Sequence, residues 1–264
     1  MEYKGLMGGF YKITEWIMRI SGSNLLWVLC SLPFLGALMT RYLYVMQVPK
    51  APPENFTLLV MAVLAPFTIF PATAALFTVV RKWVMGESDL GIIKLYFRGY
   101  KENYKQSMVG GIFYTLLFII MYIDYEFYMK ELTNFQMLGM VMMIFLVLLS
   151  ISLFNFFSLV AHYHLKVTLL IKNAILLTII RPFRALSTVI CVVVLAFLTL
   201  RFMWLILFGF ATLTALVAFY NFFIAYNKIQ EKVEKMREAE ERDAATEAEA
   251  SVSELSEGDA KEKD

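Results

Sequence analysis

The stretch FPATAALFTVVRKWVMGESDLGIIKLYFRGYKENYK, residues 70–105, decides the class of this protein. It opens as an apolar, proline-led and alanine-rich run, stops at Arg81-Lys82, and continues as a basic amphipathic segment. An apolar run closed by cations is the end of a membrane helix. Beyond it, Ile92, Ile93, Tyr96, Phe97, Tyr100 and Tyr104 recur at helical spacing beside a stripe of Lys94, Arg98, Lys101 and Lys105. That pattern predicts a helix lying on the membrane surface over residues 89–105. The fold class follows: all-α, a polytopic transmembrane helical bundle with cytoplasmic amphipathic interfacial helices.

Composition agrees. Hydrophobic residues make up 59% of the chain and charged residues 17%, where a soluble domain has about half and about a quarter. Lipid is the implied solvent. The net charge of +2 hides a split, because residues 1–230 hold 18 Lys/Arg against 9 Asp/Glu, while 231–264 hold 6 against 13. A basic membrane body (1–226) and an acidic cytoplasmic tail (227–264), largely disordered by composition, are expected. The two cysteines, Cys30 and Cys191, sit inside apolar runs and imply neither a disulfide framework nor a metal set. A cleaved signal peptide is not expected, since the first long apolar run starts only near residue 24 and no A-x-A-like site follows it.

About six spans are predicted, at 24–42, 57–80, 107–128, 137–162, 185–201 and 203–226. Each is close to the ~20 helical residues that a ~30 Å hydrocarbon core requires. Ahead of the first, Phe10, Ile13, Ile17 and Ile20 share a face, which predicts a short interfacial helix ended by Ser21-Gly22-Ser23. Trp27 is placed at headgroup depth. VPKAPPEN (48–55) reads as a loop, and KVTLLIKNAILLTIIRPFR (166–184) as a second amphipathic stretch. The apolar residues 185–226 are too long for one crossing, so the chain must turn near Arg201. Beyond 226, Tyr226, Ile229, Val233 and Met236 are spaced like a coiled-coil seam, but over too few heptads to define one.

Lys/Arg counts in successive connections are 3, 2, 6, 1, 4 and 1 from the N-terminus. The alternation predicts a multi-pass cell-membrane protein with both termini cytoplasmic. Spans two and three, joined by 82–106, also look like spans four and five, joined by 163–184.

FPATAALFTVVRKW followed by GYKENYKQS resembles the YesL family of bacterial integral membrane proteins, a domain-of-unknown-function family. NLLWVLCSLP (24–33) and IKNAILL (171–177) resemble its other landmarks, and together they cover residues 10 to about 225. The resemblance implies no established activity. Genes of the family often lie beside sugar-uptake ABC transporter genes, which implies a context of carbohydrate uptake.

Candidate sites are few. Pro71 removes a backbone donor near the middle of the second span and Pro66 does the same a turn earlier. With Ala72, Thr73, Ala74 and Ala75, closed by Arg81 and Lys82, they form either a kinked packing seam or a midplane site at a restarted helix. Ser152, Asn155, Ser158 and His162 share a face of the fourth span, as interhelical polar contacts or as the lining of a solute path. The stripe of Lys94, Arg98, Lys101 and Lys105 suits anionic inner-leaflet lipids or a docking partner. Nucleic acid does not fit it, because the neighbouring aromatics are assigned to the bilayer. His162 and His164 are two apart and face different sides of a helix, so no metal pair is expected. With no phosphate-binding glycine loop, no HExxH and no acidic residue deep in a span, no catalytic residue, cofactor or metal is expected. The reading is a non-enzymatic accessory or regulatory membrane component, partnered by lipid and by sugar ABC transporter components or its own kind. The alternative is a small-solute transporter or channel.

Overall fold

The computed structural model describes residues 6–47, 55–87, 91–130 and 136–261, with side chains from 9 to 242. The expected loop at 48–55 and residues 89–90 of the expected surface helix lie outside it, apart from Asn55, which begins a helix. Described secondary structure is entirely helical: α1 (Leu6–Gln47), α2 (Asn55–Phe67), α3 (Ile69–Val84), α4 (Ile92–Lys130), α5 (Gln136–His162), α6 (Val167–Ile180), α7 (Pro182–Arg201), α8 (Leu205–Phe208) and α9 (Phe210–Lys261). Helices α1, α4, α5, α7 and α9 are each long and apolar enough to cross a bilayer, and α2 with α3 makes a sixth as a pair bent by 41°. The protein is an all-α polytopic membrane bundle. Its outer surface agrees, with Leu29 59%, Phe197 70% and Leu200 82% exposed, since side chains of this kind belong in lipid.

Helix α3 is the core of the bundle. It packs against α1, α2, α4 and α5, and Ala72, Ala74, Ala75, Val79 and Val80 are fully buried. Small residues on α4 let the helices approach. A Cβ on Gly99 would lie 2.8 Å from Thr78 Cβ, and one on Gly111 2.8 Å from Phe70 Cγ. A Cβ on Gly110 would overlap the Phe156 ring of α5. Lipid offers no hydrophobic drive between helices, so this close backbone approach supplies the dispersion contact that holds them. Gly86, at φ +88°, closes α3: its N–H donates to Trp83 O (3.1 Å) and that of Glu87 to Lys82 O (2.9 Å). Only glycine takes that backbone conformation without strain.

Several expectations are corrected. The interfacial helix at 10–20 is not separate, because α1 runs unbroken through Ser21-Gly22-Ser23. The Ser23 hydroxyl bonds back to Arg19 O and faces Thr212 Oγ1 at 3.2 Å, so the expected breaker is a packing contact. Residues 92–105 are likewise the start of the 39-residue α4 and not a surface helix of their own. Tyr96, assigned to the bilayer side, is fully buried and donates to Ala72 O at 3.0 Å. The second amphipathic stretch is an independent helix, α6, because Pro182 must begin a new helix at Arg181. No proline interrupts 92–130, which is why the two repeat-like units differ.

The second span breaks at Thr68 (φ −120°, ψ −71°) and restarts at Ile69, two residues before the expected Pro71. The Pro71 ring excludes the carbonyl four residues back, at Phe67, so the bend falls there and Pro71 occupies the first turn, where a missing N–H costs nothing. The turn near Arg201 is where it was expected, with α8 and Gly209 preceding α9. Residues 223–264 form a unit of their own. Disorder was expected over much of it, yet helix continues to Lys261. Ala, Glu and Lys are strong helix formers, and the i,i+4 pairs Lys235–Glu231 (2.7 Å) and Arg237–Glu241 (2.9 Å) add to this.

Candidate functional site

The bend at Thr68 leaves room beside α3. A cavity of about 1150 Å³ is lined by residues of α1 to α5 together with α7 and α9. Its wall on α3 is Ile69, Phe70, Thr73, Leu76 and Phe77. Polar groups enter it at few places. Trp27 Nε1 donates to Thr73 Oγ1 at 3.0 Å, and that hydroxyl in turn donates to Ile69 O at 2.7 Å. Trp27, expected at headgroup depth, therefore belongs to the cavity wall. Toward the C-terminus of α4, Glu126 Oε1 accepts from Tyr122 OH (2.9 Å) and Lys130 Nζ (2.8 Å). Thr214 of α9 also lines the cavity, and its hydroxyl, in a side chain only 7% exposed, has no hydrogen-bond partner.

The candidate residues do not converge on one site. Pro66 and Pro71 are buried on either side of the bend, while Ala72, Ala74 and Ala75 are packed against neighbouring helices. At the other end of α3, Arg81 Nη1 donates to Ala161 O (3.0 Å), holding the last turn of α5, and Lys82 pairs with Glu87 at 2.7 Å. Lys94, Arg98, Lys101 and Lys105 are all exposed, with Arg98 paired to Glu102 at 2.9 Å. The polar face of α5 is divided between neighbours. Ser152 Oγ meets Tyr114 OH of α4 at 2.8 Å, Asn155 Nδ2 donates to Thr178 Oγ1 of α6 at 2.9 Å, and Ser158 turns back to Phe154 O at 2.9 Å. His162 sits against aromatic rings, with centroids 4.7 Å from Tyr163, 6.2 Å from Phe222 and 6.4 Å from Phe219. Among the described residues, no three His, Cys, Asp or Glu side chains come together as a metal set.

Sequence reasoning missed Asn24. It is fully buried in α1 and uses its whole amide. Nδ2 donates to Ile206 O (2.8 Å) and Leu207 O (2.7 Å), and Oδ1 accepts from the N–H groups of Ala211 (2.9 Å) and Thr212 (3.2 Å). One side chain thus caps the end of α8 and the start of α9. The available signal was an amide inside an apolar run, which in a membrane helix always needs a partner.

The structure so far defines a class: a polytopic helical membrane protein with an apolar cavity beside α3. The chain belongs to the family described as "Protein of unknown function, DUF624", whose match covers residues 20–125. It is 32% identical over 179 residues to the uncharacterized protein YteU of Bacillus subtilis (strain 168), covering 68% of each chain. It is 22% identical over 231 residues to the uncharacterized protein YesL of the same organism, covering 88% of this chain and 96% of that one. A third relative there, the uncharacterized protein YesV, is 31% identical over 114 residues, which is 42% of this chain and 54% of that one. No solved structure matches the chain.

Proposed function

We propose that this protein is a non-enzymatic accessory or regulatory component of the cell membrane that works by associating with other proteins. The observation that supports this is how its buried polar side chains are used. Tyr114–Ser152, Asn155–Thr178, Asn103–Thr78 and Trp27–Thr73 each bridge two helices. Bonds of this kind tie a bundle together, whereas a route for a hydrophilic solute needs polar groups facing a common channel. The cavity, walled largely by apolar side chains, does not favour a sugar or an ion. Association with sugar-uptake machinery is the partner class that the family's gene context implies. The exposed face of Lys94, Arg98, Lys101 and Lys105 is a surface for the cytoplasmic side, with both termini on that side as the charge alternation predicts.

The experiment is affinity purification of the tagged full chain in mild detergent from cells grown on the sugars whose uptake is in question. Recovery of transporter subunits in fixed ratio supports the proposal. Recovery of a chain alone that is thermally stabilised by a small solute favours a transporter instead.

A further inference from the structure

We infer that the cavity beside α3 holds the acyl chains of one diacyl phospholipid, with its headgroup at the Glu126–Lys130 end. This goes beyond the association reading, which requires no ligand. Three observations carry it. The first is size. At about 30 Å³ per group, the room one water takes in the liquid, 1150 Å³ accommodates roughly forty methylene-sized groups, the content of two acyl chains. The second is chemistry: the wall contributed by Leu59, Phe70, Phe77, Phe118 and Phe157 is apolar and contiguous.

The third is the charge at one end. Both hydrogen bonds of Glu126 fall on Oε1, and Oε2 has no bond to a described residue. The Lys130 ammonium lies beside it, its side chain 64% exposed. An anion next to a cation matches a zwitterionic headgroup, the ammonium toward Glu126 Oε2 and the phosphate toward Lys130.

The test uses the full chain in mild detergent with Trp16, Trp83 and Trp204 replaced by Phe, so that Trp27, in the cavity wall, alone reports. Bromine quenches indole fluorescence on contact, so the probe is phosphatidylethanolamine with brominated acyl chains. Quenching is expected to saturate at a single lipid per chain and to be reversed by the unbrominated lipid. Ala62→Phe, which puts a ring into the cavity, is expected to weaken the saturable quenching. Lys130→Gln, which removes the cation at the headgroup end, is expected to raise the half-saturating lipid concentration about threefold. Quenching that grows without saturating overturns the inference, as does saturable quenching that Ala62→Phe leaves unchanged. If Ala62→Phe does not fold, Lys130→Gln decides: an unaltered half-saturation overturns the inference.

Discussion

Replacing Asn24 by Leu preserves the volume of the side chain and removes four hydrogen bonds at once. The two carbonyls of Ile206 and Leu207 and the two N–H groups of Ala211 and Thr212 are left to find other partners. Interhelical bonds in membrane proteins average ~0.6 kcal/mol, so four give ~2.4 kcal/mol. A buried backbone group with no replacement partner costs ~1–3 kcal/mol. Some of these groups will rebond within the loosened turns around Gly209, so the full penalty will not be reached at all four. We expect a destabilisation of ~2–4 kcal/mol, where four average bonds set the lower end and the partial penalty the upper. Equilibrium unfolding in mixed micelles, followed by tryptophan fluorescence, measures it. The control is Leu25→Ala, one position along at an exposed site, expected to change stability by less than ~0.5 kcal/mol. Asn24→Asp retains the two acceptor bonds but turns an anion toward two carbonyl oxygens, so it should rescue nothing. If Asn24→Leu were as stable as Leu25→Ala, the view that Asn24 holds the start of α9 would be wrong.

Thr73→Val and Trp27→Phe should each cost ~0.5–1.5 kcal/mol and, combined, less than their sum, because they remove the same 3.0 Å bond; a double-mutant cycle measures the coupling. Gly110→Ala should lower thermal stability by ~1–3 kcal/mol through overlap with the Phe156 ring, and Phe156→Leu should restore part of it. Replacing Lys94, Arg98, Lys101 and Lys105 together by Gln should weaken binding to anionic vesicles at low salt, at ~1 kcal/mol per charge, and leave the topology unchanged in reporter fusions. A chain ended after Arg237 should accumulate in the membrane as the full chain does, since Val233 and Met236 are exposed and the residues removed contribute no apolar face.

What the sequence made legible was set by composition and length. An apolar run of the right length must be a span, so α5 matched its expected limits to within a residue, and the turn beside Arg201 fell where a run of forty had to be divided. What misled were the punctuation signals. Ser21-Gly22-Ser23 and the amphipathic stretch after Gly91 end helices in water, because there the backbone can bond to solvent once the helix stops. In lipid it cannot, and an unsatisfied N–H or C=O costs several kcal/mol. A helix in lipid therefore continues through such signals, and α1 runs on even past Pro33. The described chain stays helical at 21–23 and across 92–130, bends at Thr68 ahead of Pro71, and restarts at Pro182.

The break between α7 and α9, which no proline enforces, explains Asn24. Backbone groups set free there have no solvent to turn to, and the amide of another helix meets four of them. The site residues follow the same logic. Spacing along α5 placed Ser152 and Asn155 on one face, but a face wide enough to touch both α4 and α6 gives each hydroxyl or amide its own neighbour. Periodicity records that a side chain points inward; which helix it meets depends on contacts between segments far apart in sequence. The cavity was hidden for the same reason. It exists because α2 and α3 bend by 41° while five other helices close around the gap, and no local pattern encodes that enclosure. Within its wall, Trp27 and Thr73 have satisfied each other, whereas the charges of Glu126 and Lys130 mark the end where an occupant's headgroup should be sought first.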